Sequence, residues 1–174
     1  VPPVPALLIT GVDSDAKTVF LRALLAARPR QQPWALLDND GGHLAKEFAA
    51  AQVAVATAGG CACCTGQVAL HTGIVRLLRD SRPQRLVIVA AAAAEPAALA
   101  RALQQQHLAQ ALRIVGHACI VAPDTLAAAL PAARALWQRQ MAAADQLLAP
   151  DADITQALIG ATPASSASSL RIVS

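Results

Sequence analysis

Ala6-Leu7-Leu8-Ile9-Thr10-Gly11-Val12-Asp13-Ser14-Asp15-Ala16-Lys17-Thr18 is the stretch whose reading decides the fold. Ala6–Thr10 is apolar without alternation, as a strand buried on both faces is. Gly11 breaks it, and Thr18–Ala27 then sets Leu21, Leu24 and Leu25 on one helical face. Strand, short loop and helix amino terminus together make the context in which free N–H groups face an anion. Gly11, Lys17 and Thr18 match Gly-x-x-x-x-Gly-Lys-Thr, with Ala16 in place of the second glycine. Lys17 and Lys46 are the only lysines, so one of them standing on the motif position is informative. The plain alternative is an ordinary strand-to-helix turn with an aspartate cap.

Outward from this unit the same alternation continues. Trp34–Leu37, Val53–Thr57, Leu86–Val89, Ile114–Val121 and Gln146–Ala149 read as further strands. Gln67–Arg79, Pro96–Leu112 and Leu126–Ala144 read as helices, with Pro131 kinking or splitting the last. The expectation is an α/β domain with a mostly parallel sheet of about six strands and helices on both faces. One such domain is assigned to residues 1–159. Residues 160–174, rich in Ser and Ala, read as a flexible tail whose Leu170–Val173 adds one edge strand.

Composition excludes several classes. Of the 174 residues, 55% are hydrophobic and 14% charged, which is the balance of a chain with a core. Aromatic residues are only 2%, and the net charge of +3 comes from scattered arginines. A nucleic-acid groove needs clustered basic residues with interleaved aromatics, so none is expected. The apolar run Leu86–Ala94 is half a membrane span, and Val1-Pro2-Pro3-Val4-Pro5 lacks the basic region of a leader. Three of the four cysteines fall in Cys61-Ala62-Cys63-Cys64, which closes no loop as a disulfide framework would. A soluble chain in a reducing cytoplasm is the reading. Three soft thiolates within four residues suit zinc or copper(I). A small-residue packing cluster, or a disulfide between Cys63 and Cys64, are the other readings of the same residues. His71 and His107 read as surface histidines, and His117 with Cys119 as a buried strand pair.

In these motifs the chain resembles the CobW-type metallochaperone GTPases, relatives of the nickel and urease maturation GTPases. Thr10 to Val19 stand against the family's Thr-Gly-Phe-Leu-Gly-Ala-Gly-Lys-Thr-Thr. Leu36-Leu37-Asp38-Asn39-Asp40-Gly41-Gly42-His43 is similar to Val-Ile-Glu-Asn-Glu-Phe-Gly-Glu, and Gly59 to Cys64 to Asn-Gly-Cys-x-Cys-Cys. Arg85 to Pro96 stand against Arg-Leu-Val-Ile-Glu-Thr-Thr-Gly-Leu-Ala-Asp-Pro. The resemblance runs from Ala6 to Asp153 and does not extend to the family's carboxy-terminal domain. It implies a three-layer P-loop NTPase-like fold. It also implies Gly11, Lys17 and Thr18 for phosphate and magnesium, Asp153 for guanine, and Asp38, Cys61, Cys63 and Cys64 for the metal, with His43 where another acidic residue usually lies. A metalloprotein client and self-association are further implications.

Departures from the pattern fall on the nucleotide elements. Ser14-Asp15-Ala16 replaces Gly-Ala-Gly, and a carboxylate ~5 Å from a triphosphate costs up to roughly 3 kcal/mol at an effective dielectric of ~20. Val89-Ala90-Ala91-Ala92 replaces Glu-Thr-Thr-Gly, so no ligand is offered to magnesium or its waters. Pro150-Asp151-Ala152-Asp153 replaces Asn-Lys-x-Asp. Hydrolysis of GTP is therefore expected to be weak or lost, and retention of GTP and magnesium is left open. The alternative is a non-enzymatic metal-binding or scaffold module on the same fold. The apolar run Ala90–Ala94 must be buried in the fold or covered by a partner.

Overall fold

The computed structural model describes residues 2–60 and 66–152, and the backbone of 172–173. Its strands are β1 (Val4–Thr10), β2 (Trp34–Asp38), β3 (Ala54–Thr57), β4 (Arg85–Val89), β5 (Leu112–Ile120), β6 (Gln146–Leu148) and β7 (Ile172–Val173). They form one seven-stranded sheet in the order β3-β2-β4-β1-β5-β6-β7. Every pairing is parallel, so the sheet is wholly rather than mostly so. The expected boundary near residue 159 lies outside the described residues.

Helices α1 (Ser14–Ala27), α2 (Leu44–Glu47), α3 (Gly66–Ser81), α4 (Pro96–Leu103), α5 (Gln106–Ala109), α6 (Pro123–Ala128) and α7 (Pro131–Ala143) connect the strands. None among the described residues is long and apolar enough to cross a membrane. Two expected helices are divided. Pro96–Leu112 ends its first helix at Leu103 and gives Leu112 to β5. In the second, Pro131 is the first residue of α7, where its missing N–H costs nothing, and α6 stops before it.

The pleat explains the layers. Leu7 and Ile9 of β1 enter a core with Phe20, Leu21, Leu24 and Leu25 of α1, while Ala6 and Leu8 enter another with Leu70, Ile74, Leu99 and Leu103. A chain with so few aromatic residues fills both faces with Leu, Ile, Val and Ala at close approach. The alanine run joins this core: Ala90 and Ala94 are buried, and Ala93 is exposed. The fold itself buries the run to that extent.

β1 lies between β4 and β5, and the chain passes to opposite sides of it. The crevice at the carboxyl end of such a strand is where α/β sheets place their ligands.

Candidate functional site

Everything at that crevice starts from the turn after Thr10. Gly11 has φ +138°, and a Cβ there would stand 2.6 Å from the Ile120 carbonyl oxygen. The backbone of β5 therefore demands glycine at this position, independently of any ligand. The helix then begins at Ser14, a turn ahead of Lys17. Asp13 is its N-cap: one carboxylate oxygen accepts from the Ala16 amide at 2.9 Å, the other from the Thr125 hydroxyl at 2.6 Å. The Lys17 amide donates to the Asp13 carbonyl at 3.1 Å. The Thr125 hydroxyl first, then the Ala16 and Asp15 amides and Lys17, hold the Asp13 carboxyl below its ordinary range, against the opposing effect of burial. The aspartate-capped turn and the motif-like lysine thus occur together.

Lys17 is fully buried and turned inward. Its ammonium pairs with the Asp40 carboxylate at 2.8 Å and donates to the Ala90 carbonyl at 2.8 Å. Burial pulls its pKa down from the ordinary amine value, and the Asp40 charge and hydrogen bond push back. The Thr18 hydroxyl donates to the Ser14 carbonyl at 2.9 Å and lies 3.1 Å from Nε2 of His43. His43, which stands where the family pattern has an acidic residue, reaches α1 through this contact.

Asp38 ends β2 fully buried, its two carboxylate oxygens accepting from the amides of Asp40 (2.8 Å) and Leu44 (2.9 Å). It is register-paired with Thr57, and its carbonyl accepts from the Ala58 amide. Asn39 continues this link: its amide nitrogen donates to the carbonyls of Ala58 (2.6 Å) and Gly60 (3.0 Å). Gly60 has φ +90°, and a Cβ there would stand 3.1 Å from the Gly66 Cα, so the glycines on either side of the cysteine segment approach closely. Cys61, Cys63, Cys64 and Asp153 themselves lie outside the described residues. Among the described residues no group of three or more His, Cys, Asp or Glu is placed to hold a metal ion.

Beyond Asp40 and Asn39, Gln140 was missed by sequence reasoning. Fully buried in α7, it donates to the carbonyls of Ala92 (3.1 Å) and Ala94 (2.9 Å). Asp40 also accepts from the Ala92 amide at 2.9 Å. The only signal available was their position, an asparagine and an acidic residue after β2 that match the family pattern, and a glutamine within α7.

The other histidines are structural. Nδ1 of His117 lies 3.0 Å from the Ala143 carbonyl, which can only accept, so Nε2 takes the Thr10 hydroxyl proton at 2.9 Å. Burial lowers the His117 pKa, against the Ala143 hydrogen bond and the Asp145 charge, while burial raises that of Cys119. His71 departs from the surface reading: Nε2 is 2.8 Å from the Ala102 carbonyl and its ring meets His107 edge-on at 4.9 Å.

A parallel three-layer sheet with a strand–turn–helix unit at its central strand defines a P-loop NTPase-like domain. The chain belongs to the CobW/HypB/UreG family: residues 5–165 match its nucleotide-binding domain. It is 28% identical over 152 residues to the zinc chaperone YeiR of Escherichia coli (strain K12), covering 85% of this chain and 46% of that protein. It is similar in fold to the Zn(II)-bound YjiA GTPase from E. coli, with a TM-score of 0.56 and 16% identity over 86% of this chain and 49% of that one. A Zn(II)-bound triple mutant of the same GTPase gives 0.54 and 18%, with the same coverage. The chain thus spans about half the length of the proteins it matches.

The family implies GTP and magnesium, and the cradle does not fit them as it stands. The Ala16 amide of the first turn donates to the Asp13 carboxylate, Lys17 pairs with Asp40, and Ala90–Ala92 offer magnesium no side-chain ligand.

Proposed function

We propose that this chain is the core domain of a zinc-handling metallochaperone, in which Cys61, Cys63 and Cys64 bind the ion and GTP hydrolysis is weak or lost. The observation that supports the reading is the close approach of the two residues that flank the cysteine segment. Asn39 ties the carbonyls of Ala58 and Gly60, and Gly60 approaches Gly66 closely, so the two glycines that flank the three cysteines in sequence are neighbours in space. Ionised thiols repel one another, and a soft cation accepting all three relieves that repulsion. Asp38, whose backbone pairs with Thr57 ahead of this segment, retains lone pairs beyond the two amides it accepts, enough for a fourth ligand. Similarity to a zinc chaperone favours zinc over copper(I). Metal binding without turnover is favoured over a hydrolytic cycle because the phosphate-loop lysine is committed to Asp40. The client remains a metalloprotein by family analogy, and the setting a reducing cytoplasm.

Equilibrium dialysis against zinc tests the metal site. One ion per chain is expected, with proton release as the thiols ionise. Cys63→Ser and Cys64→Ser should each weaken binding strongly, Asp38→Ala less, and Cys119→Ser hardly at all. Equal zinc occupancy in the wild type and in a triple serine variant at Cys61, Cys63 and Cys64 would reduce the cluster to packing.

A further inference from the structure

The geometry points to a nucleotide cradle occupied by the protein's own carboxylates, which lock the domain in one nucleotide-independent conformation. The inference rests on the assignment of this crevice to a nucleotide-binding family, and it concerns how the crevice is regulated. A phosphate at a helix amino terminus takes free first-turn amides and a nearby lysine. Here Asp13 carries the anion that the helix terminus receives, on the Ala16 amide at 2.9 Å. Asp40 is the anion that the lysine receives, at 2.8 Å from Nζ. Both carboxylates are anchored a second time, Asp13 by Thr125 of α6 and Asp40 by the Ala92 amide. Neither is a loose side chain that an arriving phosphate would simply displace.

The same contacts immobilise residues 90–94, which follow β4 where relatives carry a switch. The Ala90 amide donates to Ile9, its carbonyl receives Lys17, the Ala92 amide donates to Asp40, and Gln140 donates to the carbonyls of Ala92 and Ala94. A switch of this kind moves when a γ-phosphate takes its backbone groups. With those groups already bound inside the protein, there is no differential contact left for a nucleotide to exploit. Self-occupancy by Asp13 and Asp40 therefore opposes nucleotide binding at this crevice.

The test is calorimetric titration of the full chain with magnesium–GTP. The wild type should give no saturable binding up to about 1 mM, a range in which tenfold changes are worth about 1.4 kcal/mol each. Asp13→Asn combined with Asp40→Asn removes both charges and retains side chains of the same shape. The double variant should bind at least tenfold more tightly than the wild type. Amide exchange at Ala92 should be indifferent to magnesium–GTP in the wild type and respond to it in the variant. Binding by the wild type below about 10 μM would overturn the inference, as would a folded double variant that binds no better. If the double variant does not fold, Asp13→Asn alone still caps the Ala16 amide, and the same criterion of gain or no gain applies. Zinc occupancy of Asp13→Asn, measured in parallel, should match the wild type. Loss of zinc binding in the wild type refutes the metal reading without touching the cradle, so the two failures are distinguishable.

Discussion

Lys17→Met should destabilise the domain by about 3–5 kcal/mol, the usual cost of removing one partner from a buried ion pair. The magnitude follows from what is left behind. The Lys17 and Asp40 side chains are 1% and 6% exposed, so water does not replace the ammonium. Asp40 would keep only the Ala92 amide, and the Ala90 carbonyl would lose its lysine donor. A lysine reaching into an open, water-filled cradle would behave differently, and its replacement would change stability by no more than about 0.5 kcal/mol. Urea unfolding can distinguish these cases, because ~3 kcal/mol moves the midpoint by about 1–3 M. The buried Trp34 and Trp137 report tertiary packing alongside circular dichroism, and coincident transitions license a two-state treatment. Asp40→Asn completes a double-mutant cycle, with an expected coupling of about 1–3 kcal/mol. A cost for Lys17→Met within about 0.5 kcal/mol, or strict additivity with Asp40→Asn, would refute the locked pair.

Two further outcomes test the frame around the site. Gly11→Ala should cost about 2 kcal/mol or more and lower the Tm by thermal scan, because its Cβ would stand 2.6 Å from the Ile120 carbonyl at a φ of +138°. An unchanged Tm would mean that β5 does not constrain the turn. His117 is held neutral, with its folded pKa below the ordinary 6.5. Its contribution to stability is therefore complete above pH ~6.5 and is lost as the pH falls through the folded value. Urea midpoints at pH 7.5 and 5.5 should differ less in His117→Gln than in the wild type, and equal differences would refute the assignment.

Much of the architecture was legible because its causes are local. Ala6–Thr10 and Leu86–Val89 are continuously apolar, and only a strand covered on both faces has use for that pattern. Pro131 announced the division of the last helical segment through its missing N–H, although the sequence did not say that it would begin α7. The motif spacing of Gly11, Lys17 and Thr18 marked the turn between β1 and α1. The clustering of Cys61, Cys63 and Cys64 is likewise visible in the sequence alone.

What those residues do to one another was decided by the tertiary structure. Asp13 was readable as a possible cap, but its second partner, Thr125, lies 112 positions away in α6. Lys17 reads as a phosphate ligand from spacing alone. Asp40 meets it because β2 and β4 are neighbours in the sheet, and Ala90 because β4 pairs with β1. Gln140 carries no motif at all, and acquires its role only when α7 packs its buried amide against the carbonyls after β4. Sequence spacing reports which groups a strand and its following helix present at their junction. Which of those groups stay open to a ligand depends on charges and carbonyls brought in from distant strands, and burial makes those long-range partners decisive.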